Sequence, residues 1–140
     1  MMLNRILGRK QPDRIPTEEQ ERALREVAHK LPDLRWAAIV SADGLVQTIY
    51  NPFGRQDADR VSAMTAAALS LGERITTELR HGHLAYTVVA GDEGTFAGHL
   101  VGEGYVLVVS LPVEAEIGAA IEVLAQAASA LETASLKGVM

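Results

Sequence analysis

Residues 84–110 read LAYTVVA, GDEG, TFAGHLV, GEG and YVLVVS in succession. Three β-rich runs, 84–90, 95–101 and 105–110, are separated by the short glycine-bearing links Gly91-Asp92-Glu93-Gly94 and Gly102-Glu103-Gly104. Links of that length join antiparallel neighbours, so the stretch predicts a three-stranded meander. Tyr105-Val106-Leu107-Val108-Val109 is apolar throughout, which makes the last strand a central one with both faces covered. If the 91–94 turn pairs Ala90 with Thr95, His99 falls opposite Tyr86.

Before the meander, residues 58–80 contain no helix breaker except Gly72. Val61, Met64, Ala68, Leu71, Ile75 and Leu79 form one apolar stripe at helical spacing, expected to face the core. Ala63, Ala66, Ala67 and Ser70 lie away from it, where a lone surface helix carries Lys, Glu and Arg. Small side chains there let a second helix backbone come close; alternatively, alanine is simply the best helix former. Further upstream, Trp36-Ala37-Ala38-Ile39-Val40 and Leu45–Tyr50 flank Asp43-Gly44, a hairpin signal in which both turn positions are expected at positive φ. Asn51-Pro52-Phe53-Gly54 closes the second strand with a loop. The first helix is expected to begin at Thr17-Glu18-Glu19-Gln20, a capping box, and to bury Leu24, Val27, Ala28 and Leu31 before Pro32 stops it. After the meander, Pro112 is expected to open a last helix with Ile117, Ile121, Leu124, Ala128 and Leu131 on one face and a frayed end from 137.

The chain has 140 residues, 48% hydrophobic and 22% charged, which is one ordinary domain with enough apolar mass for a core. Aromatics are only 4% and the net charge is −5, so stacking platforms and phosphate-neutralising clusters for nucleic acid are missing. With no cysteine there is no disulfide, zinc thiolate or cysteine nucleophile, in keeping with a cytoplasmic protein. No apolar run approaches the roughly 18 residues a transmembrane helix requires. Residues 1–15 hold Arg5, Arg9, Lys10 and Arg14 against Asp13, a balance of +3 that leaves −8 for the remainder. We therefore divide the chain into a basic, flexible arm (1–15), a domain (16–133) and a C-terminal tail (134–140). The arm is a solvated extension or a short anchor for an acidic partner; peripheral membrane contact is disfavoured because only Leu3, Ile6 and Leu7 are available to insert.

Enzymatic constellations fare poorly. His83 and His99 would stand roughly 10 Å apart along the predicted strands, too far for one metal site. Gly98, Gly102 and Gly104 precede no helix start and no Gly-Lys-Ser/Thr, so they are turn glycines rather than a phosphate loop. No Gly-x-Ser-x-Gly elbow is present. Asp57 and Asp59 suit the start of a helix, and Arg55 and Arg60 beside them read as solvated. No catalytic residue, metal or cofactor is expected.

The chain resembles the Roadblock/dynein light-chain domain family, including its bacterial MglB-like and conservon-type members. The residues that carry the resemblance are Ala38-Ile39-Val40-Ser41-Ala42-Asp43-Gly44-Leu45, the long helix from Asp57-Ala58-Asp59-Arg60 through Gly72-Glu73-Arg74-Ile75, and Gly104-Tyr105-Val106-Leu107-Val108-Val109. The resemblance implies an α+β domain of order α-β-β-α-β-β-β-α: a five-stranded antiparallel sheet, the long helix on one face and two terminal helices on the other. It implies a homodimer in which the long helices pack together and the third strands pair, placing Ala63, Ala66, Ala67, Ser70, Tyr86 and Val88 at the interface. It also implies a Ras-like small GTPase as partner, with Asp59, Arg60, Glu73 and Arg74 as candidate rim, and a role as GTPase activator or as scaffold without effect on hydrolysis. A PAS- or GAF-like small-molecule sensor is the competing reading, disfavoured by strands of small and branched aliphatics where a polar or aromatic pocket is needed.

Overall fold

Strand β5 (Tyr105–Leu111) is the middle of a five-stranded antiparallel sheet of order β2-β1-β5-β4-β3. The structure, a computed structural model, describes residues 14–51 and 55–139. The expected loop residues Pro52, Phe53 and Gly54, and the arm as far as Asp13, lie outside the described residues. The chain order is α1 (Thr17–Lys30), β1 (Trp36–Ser41), β2 (Val46–Tyr50), α2 (Arg55–Glu78), β3 (Tyr86–Ala90), β4 (Thr95–Val101), β5 and α3 (Ile117–Val139). Strand pleating sends Leu107, Val109 and Leu111, with Ala37, Ile39 and Ala97, into a core beneath α1 and α3. Val106 and Val108, with Ala38 and Val40, meet Leu69 of α2 on the other face. The meander register is the one its turns dictate: Ala90 pairs with Thr95 and Tyr86 with His99.

Five expectations are corrected. The hairpin turn has positive φ only at Gly44 (91°), because it is a three-residue loop closed by Ser41 N–H to Leu45 O and Gly44 N–H to Ser41 O. The capping box does not form. Pro16 is the N-cap, Thr17 is exposed, and no side chain caps the helix. Gln20 instead turns inward: its Nε2 donates to Ile15 O at 2.9 Å and its Oε1 accepts the Thr48 hydroxyl. Ile15, assigned above to the arm, is 2% exposed and belongs to the core, so the folded unit begins before residue 16. Helix α3 starts at Ile117 rather than at Pro112, because the Glu116 carboxylate accepts the N–H groups of Gly118 and Ala119, and it runs into the expected tail as far as Val139.

The fifth correction concerns which face of α2 meets the sheet. The covered side is Ala58, Ser62, Thr65 and Leu69, while Met64, Leu71, Ile75 and Leu79 are 50–58% exposed. The sheet already supplies bulk on this face through Val40, Val106, Val108, Trp36 and Phe96, so small helix residues fit against it. The two hydroxyls cost little to bury, since Ser62 donates to Ala58 O and Thr65 to Val61 O, each at 2.8 Å.

Candidate functional site

Two features of α2 and β3 combine into one exposed apolar surface. A Cβ at Gly72 would lie 3.1 Å from the Leu84 side chain and 3.3 Å from Thr87 Oγ1, so this turn of α2 sits directly over the start of β3. At 100° per residue, Leu79 and Ile75 lie about 20° and 60° from Gly72, on the β3-facing flank of the helix, and Met64 and Leu71 continue that row at about 80° and 100°, turning outward toward solvent. Strand β3 pairs only with β4, which leaves its outer edge without a neighbour in the sheet. Val89, 54% exposed, stands on the α2 side of that edge, since its partner Phe96 packs in the α2-side core. An exposed strand edge beside a row of large apolar side chains is a pairing template, and soluble chains ordinarily cover it.

The six residues expected at an interface divide. Ala67 and Ser70 are exposed on the outer line of α2. Ala63 and Ala66 flank the far side, where the β1–β2 turn comes down: a Cβ at Gly44 would be 3.5 Å from both Ala63 Cα and Ala66 Cβ. Ala66 is half-buried by its own chain, so its small size already has a local cause. Tyr86 and Val88 are exposed on the edge strand but point to the α1/α3 side, paired with His99 and Ala97. Met64, Leu71, Ile75 and Val89 complete the surface. They escaped the sequence reading because large apolar residues at helical spacing signal burial without saying against what.

The four rim candidates do not form one cluster. Asp59 and Glu73 are fourteen residues apart on one helix, about 21 Å along its axis. Asp59, Arg60 and Arg74 are exposed, whereas Glu73 accepts the Leu84 N–H at 3.1 Å and lies 3.4 Å from His83 Nδ1, bracing the entry to β3. Glu73, His83, His99, Glu103 and Glu132 line an open cleft of about 510 Å³. Its carboxylates brace backbone: Glu132 accepts the Gly102 N–H at 2.8 Å, as Glu73 does that of Leu84. Among the described residues, no group of three or more His, Asp or Glu is placed to hold a metal ion.

Comparison with known proteins matches residues 20–111 to the Roadblock/LC7 domain. Two uncharacterized proteins of Methanocaldococcus jannaschii, MJ0310 and MJ1340, are each 33% identical over 90 residues, covering 64% of this chain and 77% of the relative. Among solved structures, a Roadblock/LC7 domain from Streptomyces avermitilis superposes with a TM-score of 0.73 at 21% identity, covering 79% of this chain and 92% of that one. The gliding protein MglB of Thermus thermophilus superposes with a TM-score of 0.78 at 16% identity, covering 91% and 99%. At such identities the superpositions speak to the fold.

Proposed function

Since the chain belongs to the Roadblock/LC7 domain family, we propose that it is a homodimeric regulator, without a catalytic site of its own, that binds a Ras-like small GTPase in the cytoplasm. The observation that carries this reading is the exposed apolar surface running from Met64, Leu71 and Ile75 of α2 to Val89 on the β3 edge. A second copy related by a two-fold axis covers it twice over: helix against helix, and strand edge against strand edge. Ala67 and Ser70 then lie at the helix contact, and Tyr86 and Val88 flank the strand contact. Arg60 and Arg74 sit on the outer line of α2, next to the same faces of the partner copy, and offer a polar rim for a GTPase that touches both chains. Asp59 contributes to that rim at one end, and Glu73 acts by holding β3 in place. The partner class comes from the family resemblance, and the self-association surface from the residues.

The reading is tested by titrating the purified protein into a Ras-like GTPase of the same organism, loaded with GDP or with a non-hydrolysable GTP analogue, by calorimetry. Nucleotide-dependent binding at two chains of this protein per GTPase supports it, and absence of binding to either form refutes it. A hydrolysis assay on the same mixture separates the roles: an accelerated rate makes the protein an activator, and an unchanged rate makes it a scaffold.

A further inference from the structure

Residues 84–136 carry seven Asp and Glu and not one Lys or Arg, although the whole chain has 13 Lys and Arg. They build β3, β4, β5 and most of α3, so one side of the sheet and the helix over it contribute carboxylates and no lysine or arginine. Helix α1 packs against β1 and β2, and α3 beside it packs against β4. Strand β3, one step beyond β4, therefore lies past the edge of this helix layer. Its Tyr86 and Val88, which point to this side, are accordingly 45% and 37% exposed.

The flank of α3 turned toward β3 is the one away from α1. At 100° per residue it holds Ile121, Ala125 and Glu132, about 60°, 100° and 80° from the buried Leu124, whereas Val123 and Ala127, which line the α1 side, fall on the opposite flank. The Gly102 N–H that Glu132 accepts, at the β4–β5 turn, fixes that orientation. Tyr86 and Val88 thus floor a shallow apolar trough with the half-buried Ile121 and Ala125 as its wall. His99, stacked on Tyr86 with 6.1 Å between ring centroids, joins the trough to the open cleft that holds Glu73, Glu103 and Glu132.

We propose that this trough docks a basic amphipathic segment of another protein. Its apolar side chains lie on Tyr86 and Val88 against the α3 wall, and a lysine or arginine enters the cleft beside Glu103 and Glu132. Apolar floor and negative surroundings together select the class: the same charge repels nucleic-acid phosphates, anionic lipid headgroups and acidic peptides, while a basic segment gains from both. The site is built within one chain and on the side of the sheet opposite α2. It therefore stands apart from the α2 rim and does not rest on the dimer, although two troughs would meet across the axis of a dimer joined at β3.

The probe is a short fluorescein-labelled peptide of leucine and lysine with its leucines at helical spacing, titrated by anisotropy. Wild type is expected to bind it and not the version with glutamate in place of lysine. Ala125→Arg, which fills the trough and reverses its charge, is expected to weaken binding about tenfold. Glu103→Lys, on an exposed turn, is expected to weaken it about threefold, and Glu21→Lys, an equal change of net charge on exposed α1, to leave it unchanged. No binding by the wild type, binding of the glutamate version, or equal loss in Glu21→Lys and Glu103→Lys overturns the proposal. A measurement without any substitution checks the place: a benzophenone-bearing form of the peptide is expected to label β3 and the 121–125 turn of α3, and labelling confined to α2 overturns it.

Discussion

Replacing Gln20 tests how the first helix is fastened to the sheet. Its side chain is 4% exposed and makes two bonds, one donated to Ile15 O at 2.9 Å and one accepted from the Thr48 hydroxyl. Gln20→Ala removes both, strands a carbonyl in the core and leaves a small void. At about 1 kcal/mol per bond, plus the cost of an unsatisfied buried group, the loss is about 2–4 kcal/mol. For a domain of this size that lowers Tm by about 6–15 °C. Thr17→Ala is the paired control, because Thr17 is exposed and caps nothing, so its cost is under about 0.5 kcal/mol. Urea denaturation followed by circular dichroism measures both. A capping box would give the opposite ranking, with Thr17→Ala costing about 1 kcal/mol or more and Gln20→Ala no more than that. That result would refute the account of this junction.

Further outcomes follow from single positions. Ile15→Ala is expected to cost about 2–5 kcal/mol in the same denaturation assay, since it empties a site that is 2% exposed, and a neutral result would return Ile15 to the arm. Arg80 has φ 57° where α2 ends, with His81 N–H bonded to Thr76 O and Arg80 N–H to Thr77 O, a closing motif that glycine favours. Arg80→Gly should therefore stabilise the domain by about 0.5–1 kcal/mol, read as a higher urea midpoint. Gly44→Ala should lose about 1–2 kcal/mol, because φ 91° is unfavourable for alanine and the new methyl reaches van der Waals contact with Ala63 and Ala66.

The sheet was legible because its signals are local. Short glycine-bearing turns set the 84–110 meander and its register, and an all-apolar strand marked β5 as central. The orientation of α2 was not legible, since the helix has a small face and a large apolar face, and periodicity ranks them by size. The sheet accepts the small one, and the large one is left for another surface, a choice that depends on the bulk of Val106, Val108 and Phe96 across a long sequence separation. Gln20 misled for a related reason: its place in a capping pattern is visible in four residues, while its true partner Thr48 lies on a different element. Helix α3 began later than Pro112 because Glu116, an acid just outside the apolar pattern, supplies the cap.

The central claim is that the α2 and β3 surface joins two copies of this chain. Light scattering coupled to size exclusion at micromolar concentration tests it on the wild type and on Leu71→Asp, with Val113→Asp as a control at a comparably exposed apolar site away from α2. Leu71 is 57% exposed in the single chain, so the aspartate should leave the circular dichroism spectrum unchanged while burying a charge in the dimer. The account predicts twice the chain mass of 15.0 kDa for the wild type and for Val113→Asp, and the single chain mass for Leu71→Asp. A wild type that runs at 15.0 kDa, or a Leu71→Asp variant that stays dimeric, would contradict it.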